Sequence, residues 1–315
     1  MLEVETCKFI HQKLKHQQRN PDNYQQVAKE FPIVTPETTL SADYALLDTD
    51  GNVIAIIEAK NFSRSARDGE FQALEYAEHI EDKQGYRPFI FLSNGRELYF
   101  YHSAANQAPR KVKTFFTLSD LHRLKALHTT AFPSTSQQVD ANIAGRDYQI
   151  EAIKSVVEKL EQGKRKFLLV MATGTGKTRT AMGLIDVLLK THTIQKVLFL
   201  TDRTALRNQA FDDGFKPFFP EEPKTKILTK NVDTSARLYS ATYQTIINLL
   251  DQFSSGFFDL IIMDEVHRSI YREWKTILDY FDCYQVGLTA TPIEFVERNT
   301  YQAFDCKDQG PTYDF

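Results

Sequence analysis

Eight residues constrain this chain more than any other stretch: Met171-Ala172-Thr173-Gly174-Thr175-Gly176-Lys177-Thr178. Before them runs Phe167-Leu168-Leu169-Val170, an apolar segment of strand length. After them Ala181, Leu184, Ile185, Val187, Leu188 and Leu189 fall mostly at helical spacing. Strand, glycine-rich loop and helix in that order form a phosphate cradle. The glycines admit positive φ and bring backbone N–H groups against phosphate oxygens, and the helix N-terminus adds partial positive charge. Thr173 to Gly176 would wrap the phosphates, Lys177 would reach the β/γ-phosphates, and the Thr178 hydroxyl would bind Mg²⁺. The general pattern has glycine at position 171, where this chain has methionine.

Repeating strand and helix around this loop predicts a parallel sheet wound with helices over 144–315. Arg146-Asp147-Tyr148-Gln149 opens a helix. Val197–Leu200 is a buried strand ending in Thr201-Asp202-Arg203. Phe258–Met263 is another, ending in Asp264-Glu265-Val266-His267, and Val286-Gly287-Leu288 leads into Thr289-Ala290-Thr291-Pro292. Ligands of such sheets bind beyond the carboxyl ends of the strands, so these segments are expected to converge on one crevice. There Asp264 would share Mg²⁺ with Thr178, and Glu265 would orient or deprotonate the water attacking the γ-phosphate. His267 would link the site to Thr289 or Thr291. Gln149 has an amide suited to reading adenine.

The first 128 residues read differently. A helix is expected over 2–17, and β-type runs 42–47 and 52–60 flank Asp50-Gly51, a hairpin signal. With Asp50-Gly51 as a two-residue turn, Thr49 pairs with Asn52 and Asp43 falls opposite Glu58, with Lys60 on the same face. Two like charges placed so cost about 0.2–1 kcal/mol unless compensated. A divalent cation compensates them, with the Ala59 carbonyl as a further ligand. Two carboxylates, a metal and a lysine suit phosphodiester cleavage, Lys60 positioning the nucleophile and neutralising the transition state. A helix near 68–84 places Gln72 and Tyr76 on one face, at i and i+4. Strands at 89–92 and 97–101, joined by Ser93-Asn94-Gly95, complete a mixed sheet. Polar residues 129–143 read as a connector between domains.

Composition excludes several classes. The 315 residues suggest about two domains. Apolar content of 42% supports packed cores. With 38 basic and 41 acidic residues the net charge is −3, so contact with nucleic acid must come from local surface. Cys7, Cys283 and Cys306 are far apart and fit neither a disulfide framework nor metal spacing; they read as reduced, cytoplasmic thiols. No apolar run approaches about 18 residues, so no membrane span is expected.

Asp43, Glu58-Ala59-Lys60 and Gln72-x-x-x-Tyr76 resemble the PD-(D/E)xK nuclease core in its RecB-like form. Members of that family often carry another acidic residue on the first helix, for which Glu3 and Glu5 are both candidates. The order Arg-x-Tyr-Gln, Thr-Gly-Thr-Gly-Lys-Thr, Thr-Asp-Arg, Asp-Glu-Val-His, Thr-Ala-Thr-Pro resembles the first RecA-like domain of superfamily-two helicases and translocases. Leu200–Gln209 and Tyr239–Thr245 look like restriction-enzyme motors. A RecB-like nuclease ahead of such a motor resembles the layout of type I restriction R subunits, over nearly all of residues 30–300.

The resemblance implies an α/β chain: a restriction-endonuclease-like mixed sheet flanked by helices (1–128), a linker (129–143), then a RecA-like P-loop domain (144–315). It implies ATP and Mg²⁺ as cofactors, with Arg146, Gln149, residues 173–178, Asp264 and His267 at the nucleotide. It implies Asp43, Glu58, Lys60, Gln72 and Tyr76 at the nuclease centre, double-stranded DNA as substrate, and methyltransferase and specificity subunits as partners. A second RecA-like domain, with its arginine finger, is expected in such motors and does not follow Thr-Ala-Thr-Pro here. The piece is therefore expected to bind ATP and hydrolyse it poorly. Rival readings are a nuclease–helicase of DNA repair or another defence system, and a nucleotide-gated DNA-binding module with an inactive nuclease.

Overall fold

The structure, a computed structural model, describes residues 2–17, 26–35, 37–61, 63–105, 107–129, 138–229, 231–266, 271–291, 294–295, 298–306 and 310–315. It divides into two compact units: Met1–Ala126 with Ser254–Phe257, and Leu127–Phe253 with Phe258–Phe315.

The first unit contains α1 (Leu2–Gln17), β1 (Gln26–Val34), β2 (Thr39–Leu47), β3 (Val53–Ala59), α2 (Glu70–Gln84), β4 (Phe89–Ser93), β5 (Leu98–Tyr101), β6 (Arg110–Lys111) and α3 (Leu118–Thr129). The strands form one sheet in sequential order, antiparallel except for the parallel pair β3/β4. It is therefore a mixed sheet, as expected. Strand side chains alternate between faces. Tyr44, Leu46, Phe89 and Phe91 pack on one side with Ile10 and Leu14 of α1 and with Leu121 of α3. Ala45, Ile56, Ile90 and Leu92 pack on the other with Ala73, Tyr76, Ala77 and Ile80 of α2.

The β2/β3 hairpin keeps the expected register in its body and departs from it at the turn. Tyr44 faces Ile57, Ala45 faces Ile56 and Leu46 faces Ala55, but the register then shifts and Leu47 faces Val53. The loop closes from Asp48 to Asn52, with Asp48 N donating to Asn52 O at 2.9 Å. The cause is the Asp48 side chain, whose Oδ1 accepts from the Asp50 and Asn52 amides at 2.9 and 2.8 Å. Short acidic side chains commonly hold turns this way. Gly51, at φ 79°, completes the turn, and the bulge after Leu46 absorbs the extra residue.

The segment Ser254–Phe257 belongs to this first unit although the sequence places it far downstream. Asp120, fully buried, accepts from Arg123 Nη1 at 3.0 Å and from Ser254 Oγ at 2.5 Å. The Ser255 amide donates to Thr114 Oγ1 at 2.7 Å. Hydroxyls and a guanidinium around Asp120 satisfy a charge that burial alone would penalise. They hold its carboxyl below the ordinary aspartate value despite that burial.

The second unit contains α4 (Asp147–Glu161), β7 (Lys166–Val170), α5 (Lys177–Lys190), β8 (Val197–Thr201), α6 (Thr204–Gln209), α7 (Lys216–Phe218), β9 (Lys224–Lys226), β10 (Leu238–Thr242), α8 (Tyr243–Ile247), β11 (Leu260–Asp264), α9 (Tyr271–Tyr280), β12 (Tyr284–Thr289), the short pair β13 (Glu294–Phe295) and β14 (Arg298–Asn299), α10 (Thr300–Ala303) and β15 (Tyr313–Asp314). Seven strands form a parallel sheet in the order β15-β7-β12-β11-β8-β10-β9. Its five inner strands are buried almost throughout because both faces are covered, whereas the edge strands β9 and β15 are short and polar. Ile143, the last residue of the expected connector, and Ala144 after it are buried in this unit's core.

The fit of α5 depends on Gly183. A Cβ there would lie 2.8 Å from Ala144 Cβ and 2.8 Å from Ile153 Cδ1. Gly183→Val should therefore destabilise the chain by about 1–3 kcal/mol, the usual cost of overpacking, read as a lower thermal midpoint. An unchanged midpoint would show that α5 has room to move.

Candidate functional site

Two groups of polar side chains stand at strand ends, one in each unit. In the first unit, Asp43 lies within β2, one residue before the stretch paired with β3, and Glu58 is the penultimate residue of β3. Asp43 and Glu58 are the residues next to the Tyr44–Ile57 pair, and the charge of Asp43 is felt at Glu58. The Asp43 carboxylate turns onto the next peptide, Oδ2 accepting from the Ala59 amide at 2.6 Å. Lys60 Nζ donates to Glu58 Oε1 at 2.8 Å and to Gln72 Oε1 at 2.9 Å. The Gln72 amide in turn donates to the Tyr76 hydroxyl. The structure therefore brings all five predicted residues of this group together: two carboxylates, the lysine, and the i, i+4 pair on α2.

Two further residues shape this centre. Gly69 is the N-cap of α2, and a Cβ there would lie 2.7 Å from Glu58 Cγ and 2.8 Å from Lys60 Cε. The missing side chain lets α2 approach the two functional groups. Asp68-Gly69-Glu70 reads as a helix start, so the sequence signalled the glycine's place but not its neighbours. Thr6, fully buried on α1, bonds through Oγ1 to the carbonyls of Lys60 and Asn94 at 3.1 and 3.2 Å. Nothing in its spacing marked it. The side chains of Glu3 and Glu5 lie outside the described residues.

Electrostatics here favour a cation. Glu58 is 3% exposed. Burial pushes its carboxyl up to about 7; Lys60 opposes the rise and the charge of Asp43 adds to it. A buried carboxylate near a second one, with a lysine bonded to the first, is a donor set that a hard divalent ion fits. No group of three or more acidic, histidine or cysteine side chains with metal-ligand geometry occurs among the described residues, so the two carboxylates and nearby carbonyls are the donors on offer.

In the second unit, the loop after β7 has Gly174 at φ 83° and Gly176 at φ 87°. Both are left-handed, where glycine costs least. Gly176 also allows close packing, since a Cβ would lie 2.6 Å from Gln149 Nε2. The loop is held from α4: Tyr148 Oη donates to Thr175 O at 2.7 Å, and Gln149 Nε2 to Thr175 O and Gly176 O at 3.2 and 3.4 Å. Arg146 donates to the Tyr148 hydroxyl at 2.6 Å. The Gln149 amide thus braces the loop itself, a contact its spacing in the sequence did not suggest. Thr173 and Gly174 are exposed, and Thr178 is half-buried on the first turn of α5.

Facing the loop is the end of β11. Lys177 Nζ lies 3.2 Å from Glu265 Oε1 and 3.5 Å from Met171 O. Glu265 adopts φ 55°, left-handed and rare outside glycine, and its amide donates to Asp264 Oδ1 at 3.1 Å. Burial pushes the Asp264 carboxyl up to about 6, with Glu265 adding repulsion and Lys177 opposing it. Open glycine backbone, a buried lysine and a raised carboxylate together fit a triphosphate with Mg²⁺. Asp202, the residue after β8, also contributes repulsion to Asp264. His267 and Pro292 lie outside the described residues. No described helix is long and apolar enough to cross a membrane.

Comparison with known proteins agrees with both halves. Residues 5–108 match the family model "Type I restriction enzyme R protein N terminus", and residues 142–294 match "Type III restriction enzyme, res subunit". The chain is 34% identical over 295 residues to the type I restriction enzyme EcoAI endonuclease subunit of Escherichia coli, covering 86% of this chain and 35% of that protein. It is 30% identical over 179 residues to the EcoKI endonuclease subunit of Escherichia coli K12, covering 47% of this chain and 15% of that protein. A fragment structure assigned to an HsdR subunit of a type I restriction enzyme from Vibrio vulnificus YJ016 matches at 26% identity and a TM-score of 0.43, over all of this chain and 59% of that one. The chain thus spans about a third or less of the curated endonuclease subunits it matches.

The raised Glu58 carboxyl has a measurable sign. Its folded value lies above the unfolded one, so its contribution to stability is complete below the ordinary glutamate range. That contribution is lost as pH rises through about 7. Glu58→Gln should therefore raise the thermal midpoint at pH 8 and leave it nearly unchanged at pH 5. Mg²⁺ at pH 8 should raise the midpoint of the unaltered chain and not that of the variant. Equal shifts at both pH values would contradict the assignment.

Proposed function

We propose, for a chain that belongs with the R subunits of type I restriction enzymes, that it cuts DNA at the Asp43–Glu58–Lys60 centre and uses ATP at the Lys177–Asp264–Glu265 centre to drive movement along duplex DNA. The observation that carries this reading is the pair of acid-and-lysine centres, one in each unit. In the first a lysine is held between a buried carboxylate and the Gln72 amide; in the second a lysine faces two carboxylates beyond a glycine loop.

At the first centre, Mg²⁺ held by Asp43 and Glu58 would supply an activated water and charge for the scissile phosphate. Lys60 keeps its amine aimed through Gln72, which Tyr76 orients, so the amine can steady the nucleophile and the developing charge. Ala59 N holds one Asp43 oxygen, which fixes how that carboxylate turns.

At the second centre, Mg²⁺ on Thr178 and Asp264 would neutralise the β/γ-phosphates. Lys177 leaves Glu265 to meet the phosphates, and Glu265 then orients or deprotonates the attacking water. Gln149 and Tyr148 hold the loop, and Arg146 holds Tyr148. Sequence recognition and methylation fall to partner subunits in this reading, and the cytoplasm is where such an assembly acts.

The tests separate the two centres. Asp43→Ala and Lys60→Ala should abolish Mg²⁺-dependent cleavage by the chain assembled with methyltransferase and specificity subunits, and leave ATP binding intact. Lys177→Ala should lose ATP binding, and with it all cleavage that depends on translocation. Normal cutting by Asp43→Ala would overturn the nuclease assignment. Unaltered nucleotide affinity in Lys177→Ala would overturn the other.

A further inference from the structure

The turn that carries Asp264 and Glu265 is pinned from outside its own strand. Tyr243 is the first residue of α8 and is buried, 1% exposed. Its hydroxyl donates to the Asp264 carbonyl at 2.9 Å. In the sheet, β10 is separated from β11 by β8. Thr242 pairs with Thr201, the last residue of β8, so α8 starts where β8 ends. The phenol therefore reaches past the end of β8 to the end of β11.

Two other bonds hold the same turn. The Glu265 amide donates to Asp264 Oδ1 at 3.1 Å, and the Val266 amide donates to Leu288 O of β12 at 3.1 Å. Between them Glu265 sits at φ 55°, a conformation that persists only where its surroundings impose it. Rotating the Asp264 peptide would move the Asp264 side chain and break this arrangement. The tyrosine hydroxyl adds a side-chain bond to the carbonyl of that peptide, at the residue where the β11/β12 pairing ends.

We propose that Tyr243 is a positioning residue for the Mg²⁺–nucleotide site: its hydroxyl fixes the Asp264 backbone, and so the direction in which the Asp264 carboxylate meets the metal. This deepens the nucleotide-site reading and rests on it. The phenol suits the task because burial and the charges of Asp264, Asp202 and Glu265 raise it well above the ordinary tyrosine value. Thr242 caps α8 by accepting from the Thr245 amide at 3.3 Å, which fixes the helix start from which the phenol extends.

The experiment is a metal titration of nucleotide binding, made on the full chain with a fluorescent, non-hydrolysable ATP analogue. Tyr243→Phe keeps the ring and removes the hydroxyl. It should raise the Mg²⁺ concentration for half-maximal binding about five- to ten-fold, the worth of one lost hydrogen bond. Binding of the analogue in EDTA should stay within about two-fold of the unaltered chain, as expected when no contact to the nucleotide itself is lost. A merely structural role would weaken both arms together, or neither, and either result would overturn the proposal. Asp264→Asn serves as the control. If that variant leaves the Mg²⁺ midpoint unmoved, the nucleotide-site reading has failed. If it moves the midpoint and Tyr243→Phe does not, the fault lies with Tyr243.

Discussion

A carboxylate taken out of water demands a cation, and both centres of this chain are organised by that demand. Glu58 and Asp264 are each buried at the end of a strand, each beside a second acidic residue, and each with one lysine within reach. In both, burial outweighs the lysine and leaves the carboxyl raised. Such sites are held at a cost to the folded chain, and the cost falls when a divalent ion arrives. The surrounding architecture serves to keep those acids in place. A hairpin register sets Asp43 beside Glu58, a glycine lets α2 close on them, and parallel strands end together at Asp264.

Much of this was legible in the residues, for identifiable reasons. The phosphate loop declares itself because its physics is local: strand, glycines and helix are contiguous in the chain. The body of the β2/β3 hairpin keeps the register expected from a two-residue Asp50-Gly51 turn because the irregularity after Leu46 offsets the longer loop. Its turn was not legible, because Asp48 could capture the Asp50 and Asn52 amides and lengthen the loop by a choice the strand pattern does not record. The five predicted nuclease residues come together because Glu58 and Lys60 are two apart on a strand, and Gln72 and Tyr76 four apart on a helix.

What stayed hidden was long-range. The enlistment of Ser254–Phe257 into the first unit joins residues more than a hundred positions apart, through Asp120 and Thr114. The bracing of the glycine loop by Gln149 depends on how closely α4 approaches, which only the packing shows. Tyr243 stood inside a legible motif, yet its bond to Asp264 spans the end of an intervening strand. Side chains that act on a neighbour's backbone leave no pattern in composition or spacing.

The Lys177–Glu265 pair ties the lysine of the glycine loop to an acid at the end of the facing strand. A polyanion bound in the loop would compete with Glu265 for Lys177, because the lysine would donate to the phosphates in place of that acid. In the proposed reading, nucleotide binding and the release of Glu265 from Lys177 would be one event.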